Sequence, residues 1–177
     1  MRTYPLIVAV AIAAAVLSAS NAQAQTSIKS SQPLARAARA IELQEQAVAL
    51  HSQPARAAEA ARLHRASAYL RNPEDAEAVQ SLAMAAQLFG YAKRPREAQR
   101  TMEEAAERAL AMGDVVRAAQ AYVEASFFAH QQKNRGETQR LGRKALLLTS
   151  SPLLAADQLA AIMTRIRLNP ALASFTR

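Results

Sequence analysis

The chain of 177 residues has no cysteine and no tryptophan, and only four glycines. Without cysteine it has no disulfide, no thiol nucleophile, no thiolate metal ligand and no lipid-carrying cysteine. No glycine-rich phosphate loop occurs. Histidine is also scarce: His51, His64 and His130 are the full set, no two are four residues apart, and there is no HExxH. Metal sites need three or four clustered ligands, so His64, in line with Ala57, Ala61 and Ala68, reads as packed between helices. His51 falls at a helix end. Nothing isolates a pair of carboxylates such as glycoside hydrolysis requires. Glu103, Glu104 and Glu107 are mixed with arginines and read as a solvated face. These absences point away from catalysis, and no cofactor or metal is expected. No segment alternates with the period of a β-strand. No apolar run reaches the roughly 20 residues that a membrane-spanning helix needs.

The longest apolar run is LIVAVAIAAAVL, from Leu6 to Leu17, preceded by Arg2 and followed by a small polar stretch and Ala22-Gln23-Ala24. A positive start, a short apolar core and an A-x-A triplet are the parts of a secretory signal. Cleavage is expected after Ala24, with Ala22 and Ala24 as the small residues read at the cut. Residues 1–24 are thus a signal peptide and 25–32 a short linker. The remainder is expected in the periplasm or outside the cell, with no membrane anchor and no lipid.

What the chain has in abundance is alanine, 44 residues of it. Alanine has the best helix propensity and little bulk, so helices rich in it form readily and approach closely. Proline, glycine and asparagine divide the chain at regular intervals: Gln32-Pro33, Ser52-Gln53-Pro54, Asn72-Pro73, Arg94-Pro95, Gly113-Asp114, Asn134-Arg135-Gly136 and Ser151-Pro152. Proline is tolerated in the first turn of a helix and glycine closes a helix end. The breaks predict seven helices: 33–50, 54–71, 73–92, 95–112, 114–132, 135–149 and 152–168. A loose tail is expected over 169–177. The fold class is all-α, with 33–168 as the folded domain.

The predicted helices carry apolar stripes at helical spacing, such as Ala78, Leu82, Ala85, Ala86 and Phe89, or Ala118, Tyr122, Ala125, Ser126 and Ala129. A shift of 40 residues lays one stripe on the other: Ala78 falls on Ala118, Leu82 on Tyr122, Ala85 on Ala125. The same shift carries Ala98 to Thr138 and Ala105 to Ala145. The unit is a helical hairpin, repeated about three times and closed by a seventh helix. Such hairpins stack side by side into a solenoid.

These residues resemble tetratricopeptide repeats. Leu82, Ala85, Ala86 and Phe89 sit in the family's first-helix positions, and Pro95, Ala98, Met102 and Ala105 in its second-helix positions. The turn Gly113-Asp114 followed by Ala118, Tyr122 and Ala125 is also similar to the family's turn and second helix, so helix 114–132 can open one hairpin or close another; the 40-residue shift favours the first. The chain departs from the family's repeat of about 34 residues, lacks its tryptophan, and has Lys93 and Lys133 where the family favours glycine. The resemblance implies a non-catalytic scaffold whose groove is lined by the first helix of each hairpin. Carried over by position, the groove would hold Gln80, Ala83, Gln87 and Gly90 from one hairpin, and Gln120, Val123, Phe127 and His130 from the next. Ordinary packing and surface is the alternative role for these residues. The partner implied is a protein or peptide in the cell envelope.

Charge suggests a second reading. The formal net charge is +8. Residues 25–131 are close to balanced, with 13 Lys/Arg against 12 Asp/Glu, whereas 132–177 carry 8 against 2. A basic end can bind anionic lipid or cell-wall polymer, here through Arg140, Arg143, Lys144, Arg165 and Arg167; a solvated face without a partner is the alternative. Nucleic acid is not expected, because no basic segment is interleaved with aromatic residues to stack bases.

Overall fold

A computed structural model describes residues 32–170 and residue 172. The signal segment with Ala22 and Ala24, and most of the linker, lie outside the described residues. The chain divides into two compact units, residues 1–38 and residues 39–177; of the first, only helical residues 32–38 are described. The described residues contain helices and turns only. The helices are α1 (32–49), α2 (Ala57–Leu70), α3 (Ala76–Tyr91), α4 (Pro95–Ala111), α5 (Val115–Gln131), α6 (Arg135–Leu148) and α7 (Ala156–Leu168). No described helix is long and apolar enough to cross a membrane.

From α2 to α6 each helix packs on its neighbours in the chain, and α7 returns to α5. This is the antiparallel stacking of a short helical solenoid. The stripes read from the sequence are the packing faces: Ala78, Leu82, Ala85, Ala86 and Phe89 are buried, as are Ala118, Tyr122, Ala125, Ser126 and Ala129. The positions matched by the 40-residue shift, Ala98 with Thr138 and Ala105 with Ala145, are buried too. Alanine at so many contacts lets helix axes come within about 8 Å, the near end of the usual range. The larger side chains set between them, Leu82, Phe89 and Met102, each contribute about 2–3 kcal/mol by leaving water.

Three successive turns are built alike. Lys93 (φ 59°), Gly113 (φ 77°) and Lys133 (φ 58°) all take the left-handed conformation just past a helix. In each turn the next amide reaches back to the last helical turn: Arg94 N–H to the Phe89 carbonyl at 2.9 Å, Asp114 to Ala109 at 2.9 Å, Asn134 to Ala129 at 3.1 Å. This closure satisfies carbonyls that the helix end leaves open. Lys93 and Lys133 thus do the work of glycine at those positions. The next helix is then capped by Asp114, whose side chain accepts from Arg117 N–H, or by Asn134, which accepts from Glu137 N–H.

Three predicted helix starts move inward. Pro54–Arg56 form one 3-10 turn ahead of α2. α3 begins after Asp75 rather than at Pro73, because Asp75 accepts from Glu77 N–H at 2.9 Å while Asn72 holds Glu74 in a turn at 3.2 Å. α7 begins after Ala155, whose N–H donates to the Gln158 side chain at 3.1 Å, so Pro152 lies in the connection. At the other end, Asn169 and Leu172 fall in the stretch expected to be loose, yet both are buried. Asn169 Nδ2 donates to the Val123 carbonyl at 3.0 Å and to Ser126 Oγ at 3.2 Å. The Leu172 side chain fills the space that Gly142, on α6, leaves by having none.

A candidate binding groove

Each turn reverses the chain, so α3, α5 and α7 lie on one side and α2, α4 and α6 on the other. The first side carries a hollow of about 780 Å3 between the ends of α3 and α7, over α5. That is within the range of sites that hold small ligands or single side chains of a partner. Three large apolar side chains around it are left in contact with water: Tyr91 is 79% exposed, Leu168 78% and Phe127 38%. Val123 and Phe128 form its floor. Gly90 is required here, since a Cβ at that position would come within 2.7 Å of the Phe128 ring. Lys93 stands at the α3 end and makes no ion pair among the described residues, whereas Arg165, from α7, meets Glu124 at 3.3 Å.

A smaller trough of about 330 Å3 continues from this hollow along α3 and α5. The two share Gln87 and Glu124. Ala83, Ala105 and Ala121 line it together with Val79 and Met102, and Gln80, Gln87 and Gln120 add side-chain amides to the lining. Arg117 closes the far end, held to Asp114 at 3.4 Å.

Of the residues expected in a groove, Gln80, Ala83, Gln87 and Gln120 line the trough, while Gln87, Gly90, Val123 and Phe127 line the hollow. His130 is exposed on α5 and lines neither. Sequence reasoning missed Tyr91, Lys93, Glu124 and the whole contribution of α7. A signal existed: 41 residues beyond Phe127 and Glu124 stand Leu168 and Arg165. The repeat thus runs on into α7, which places its own residues beside those of α5.

Three of the five basic residues expected in a patch in the last third are engaged by carboxylates. Arg140 and Lys144, on α6, turn to α4: Arg140 bonds both carboxylate oxygens of Glu103 at 2.7 Å, and Lys144 reaches the same group at 3.0 Å. Arg165 faces α5. Only Arg143 and Arg167 are exposed without an ion pair among the described residues. Glu103 is correspondingly no solvated carboxylate. Its side chain is 17% exposed, and the hydrogen bonds from Arg140, then Lys144, hold its pKa below the usual carboxylate value against the opposing effect of burial. Glu104 serves a similar end between α2 and α4, accepting from Tyr69 Oη at 2.8 Å and from Arg108 at 2.9 Å.

His51 and His64, 13 residues apart, meet through their Nε2 atoms at 2.8 Å. The hairpin turn between them brings this about, and no helical spacing could have shown it. His64 is buried, and its pKa is pushed down to about 4, first by burial and then by the charge of His51. One ring must donate and the other accept. No group of three or more His, Asp or Glu side chains among the described residues could hold a metal. Comparison with protein-family models, with curated proteins and with solved structures found no match.

Proposed function

We propose that this chain is an exported, non-catalytic helical-repeat scaffold, of the tetratricopeptide-like kind, that binds a segment of another protein in the bacterial cell envelope. The observation that carries this reading is the hollow between α3, α5 and α7. Leaving Tyr91, Phe127 and Leu168 in water around one concavity costs stability that burial would recover. Clustered exposed apolar groups with a polar margin are the usual mark of an interaction surface. The residues around it come from three different helices and therefore depend on the stacking. Export is supported by the segment around Leu6–Leu17 with Ala22 and Ala24.

The groove is tested by placing a photo-crosslinking phenylalanine analogue at Phe127 and, as a control, at Leu110, which is exposed on α4. Irradiation in intact cells is expected to give a discrete adduct from position 127 and not from 110. Equal labelling from the two positions would overturn the groove. Export is tested separately, by fractionation and by the N-terminal residue of the mature chain, expected to be Gln25.

The basic-end reading draws less support. Arg140, Lys144 and Arg165 are already committed to carboxylates, which leaves Arg143 and Arg167 as its two free cations among those five.

A further inference from the structure

The trough and hollow, on the reading that they bind a partner, also constrain what the partner is. Gln80, Gln87 and Gln120, each with donor and acceptor groups, line the trough beside Ala83, Ala105 and Ala121. Side-chain amides match main-chain peptide groups, one donor and one acceptor apiece. An α-helix spends its main-chain groups on itself, and would leave these side-chain amides without main-chain partners. An extended segment, by contrast, arrives with its main chain unpaired and needs partners for it. The hollow at the end of the trough is wide enough for a bulky side chain and is walled by aromatic and aliphatic groups.

The charges select further. Among the side chains lining trough and hollow, three cations, Lys93, Arg117 and Arg165, stand against one carboxylate, Glu124. Arg165 shares Glu124, and Arg117 is held by Asp114 from outside the trough. Lys93, fixed in its left-handed turn beside the hollow, has no carboxylate of its own among the described residues. The helix C-termini that meet at the hollow favour cations there, but their carbonyls are largely taken by the turn amides of Ala92, Lys93, Arg94 and Gln132.

We infer that the groove takes an extended, acidic polypeptide segment: its main chain is bridged by Gln80, Gln87 and Gln120, one bulky apolar side chain enters the hollow at Phe127, and a neighbouring carboxylate meets Lys93. Panning a random dodecapeptide library against the folded protein tests this. Enriched sequences are expected to carry an excess of Asp and Glu around a single Phe, Leu or Tyr. Fluorescence anisotropy on the best of them then reads the details. N-methylation of its central peptide groups should weaken binding at least about tenfold, as should Gln87→Leu with Gln120→Leu, and Lys93→Glu should shift enrichment toward basic peptides. Enrichment of basic peptides by the unaltered protein, of sequences with apolar residues at helical spacing, or indifference to N-methylation would overturn the inference while leaving a groove that binds protein. Failure to enrich anything beyond a Phe127→Ala control, together with no adduct from position 127, would remove the groove itself.

Discussion

Gly113 takes φ 77° with nothing within 4 Å of where a Cβ would stand, so Gly113→Ala isolates the backbone cost. The expected loss is about 1 kcal/mol, read as a lower urea midpoint at unchanged slope. Lys133 occupies the equivalent turn at φ 58°, and Lys133→Gly should stabilise the fold by up to about 1 kcal/mol, read as a higher midpoint; a fall would mean that the lysine side chain contributes more than its strain costs. His64 makes the second prediction at this scale. An unfolded imidazole titrates near 6.5, whereas His64 stays neutral down to about 4. The unfolded chain therefore takes up the proton first, and stability falls as pH drops from about 6.5 towards 4, by up to about 3 kcal/mol. Urea midpoints across that window should decline less steeply in His64→Gln. Parallel declines would place the acid sensitivity outside His64; Glu103, whose lowered pKa keeps its contribution intact until pH falls below the usual carboxylate range, acts only at the acid end of that window and beyond.

At the scale of elements, the connection between α4 and α6 rests on polar groups as much as on alanine. Glu103 holds Arg140 and Lys144, and Gln99 bonds Glu137 at 3.0 Å while accepting from Gln132 at 2.7 Å. These cations remain partly in water, which limits what the pairs contribute. Glu103→Ala should cost about 1 kcal/mol, and a double-mutant cycle with Arg140→Ala should show a favourable coupling of about 0.5–1 kcal/mol; additive losses would show the contact to be idle. Sequence periodicity identified the seven α-helices of the described residues and the buried stripes of α3 and α5, because one face of each must repeat at 3.6 residues to be covered. It misplaced the starts of α3 and α7, where proline pointed one way and a side-chain cap decided another. It also read Glu103 as solvent-facing, since a charge on a helix does not announce whether a second helix will supply its partner.

At the scale of the whole molecule, the stack ends on a contact distant in sequence. Leu172 sits against Gly142, and Asn169 ties the end of α7 to α5. In a linear stack each helix is stabilised by its neighbours, so loosening the last one also exposes the next. Leu172→Ala should therefore cost about 2–4 kcal/mol and increase amide exchange first in α7 and then along the face of α5 that it covers. Unchanged exchange in α7 would show that Leu172 does not secure it. The groove depends on the same contact, because Leu168 and Arg165 reach it only while α7 is held down.

Composition, helical period and the positions of proline and glycine were enough to determine that the chain folds as stacked helices and which faces meet. Those are local properties, set by propensity and by the need to cover an apolar stripe. Part of the lining of the hollow and trough was legible too, in Gln80, Gln87, Gln120, Val123 and Phe127, because the repeat places equivalent residues on equivalent faces. Which residues from separate helices come together was decided by the tertiary structure alone. The hollow at Tyr91, Phe127 and Leu168, the pairing of His51 with His64, and the ion pairs of Arg140 and Lys144 with Glu103 all depend on how hairpins pack, and a side chain's partner across such a contact is fixed by position in space rather than by distance along the chain.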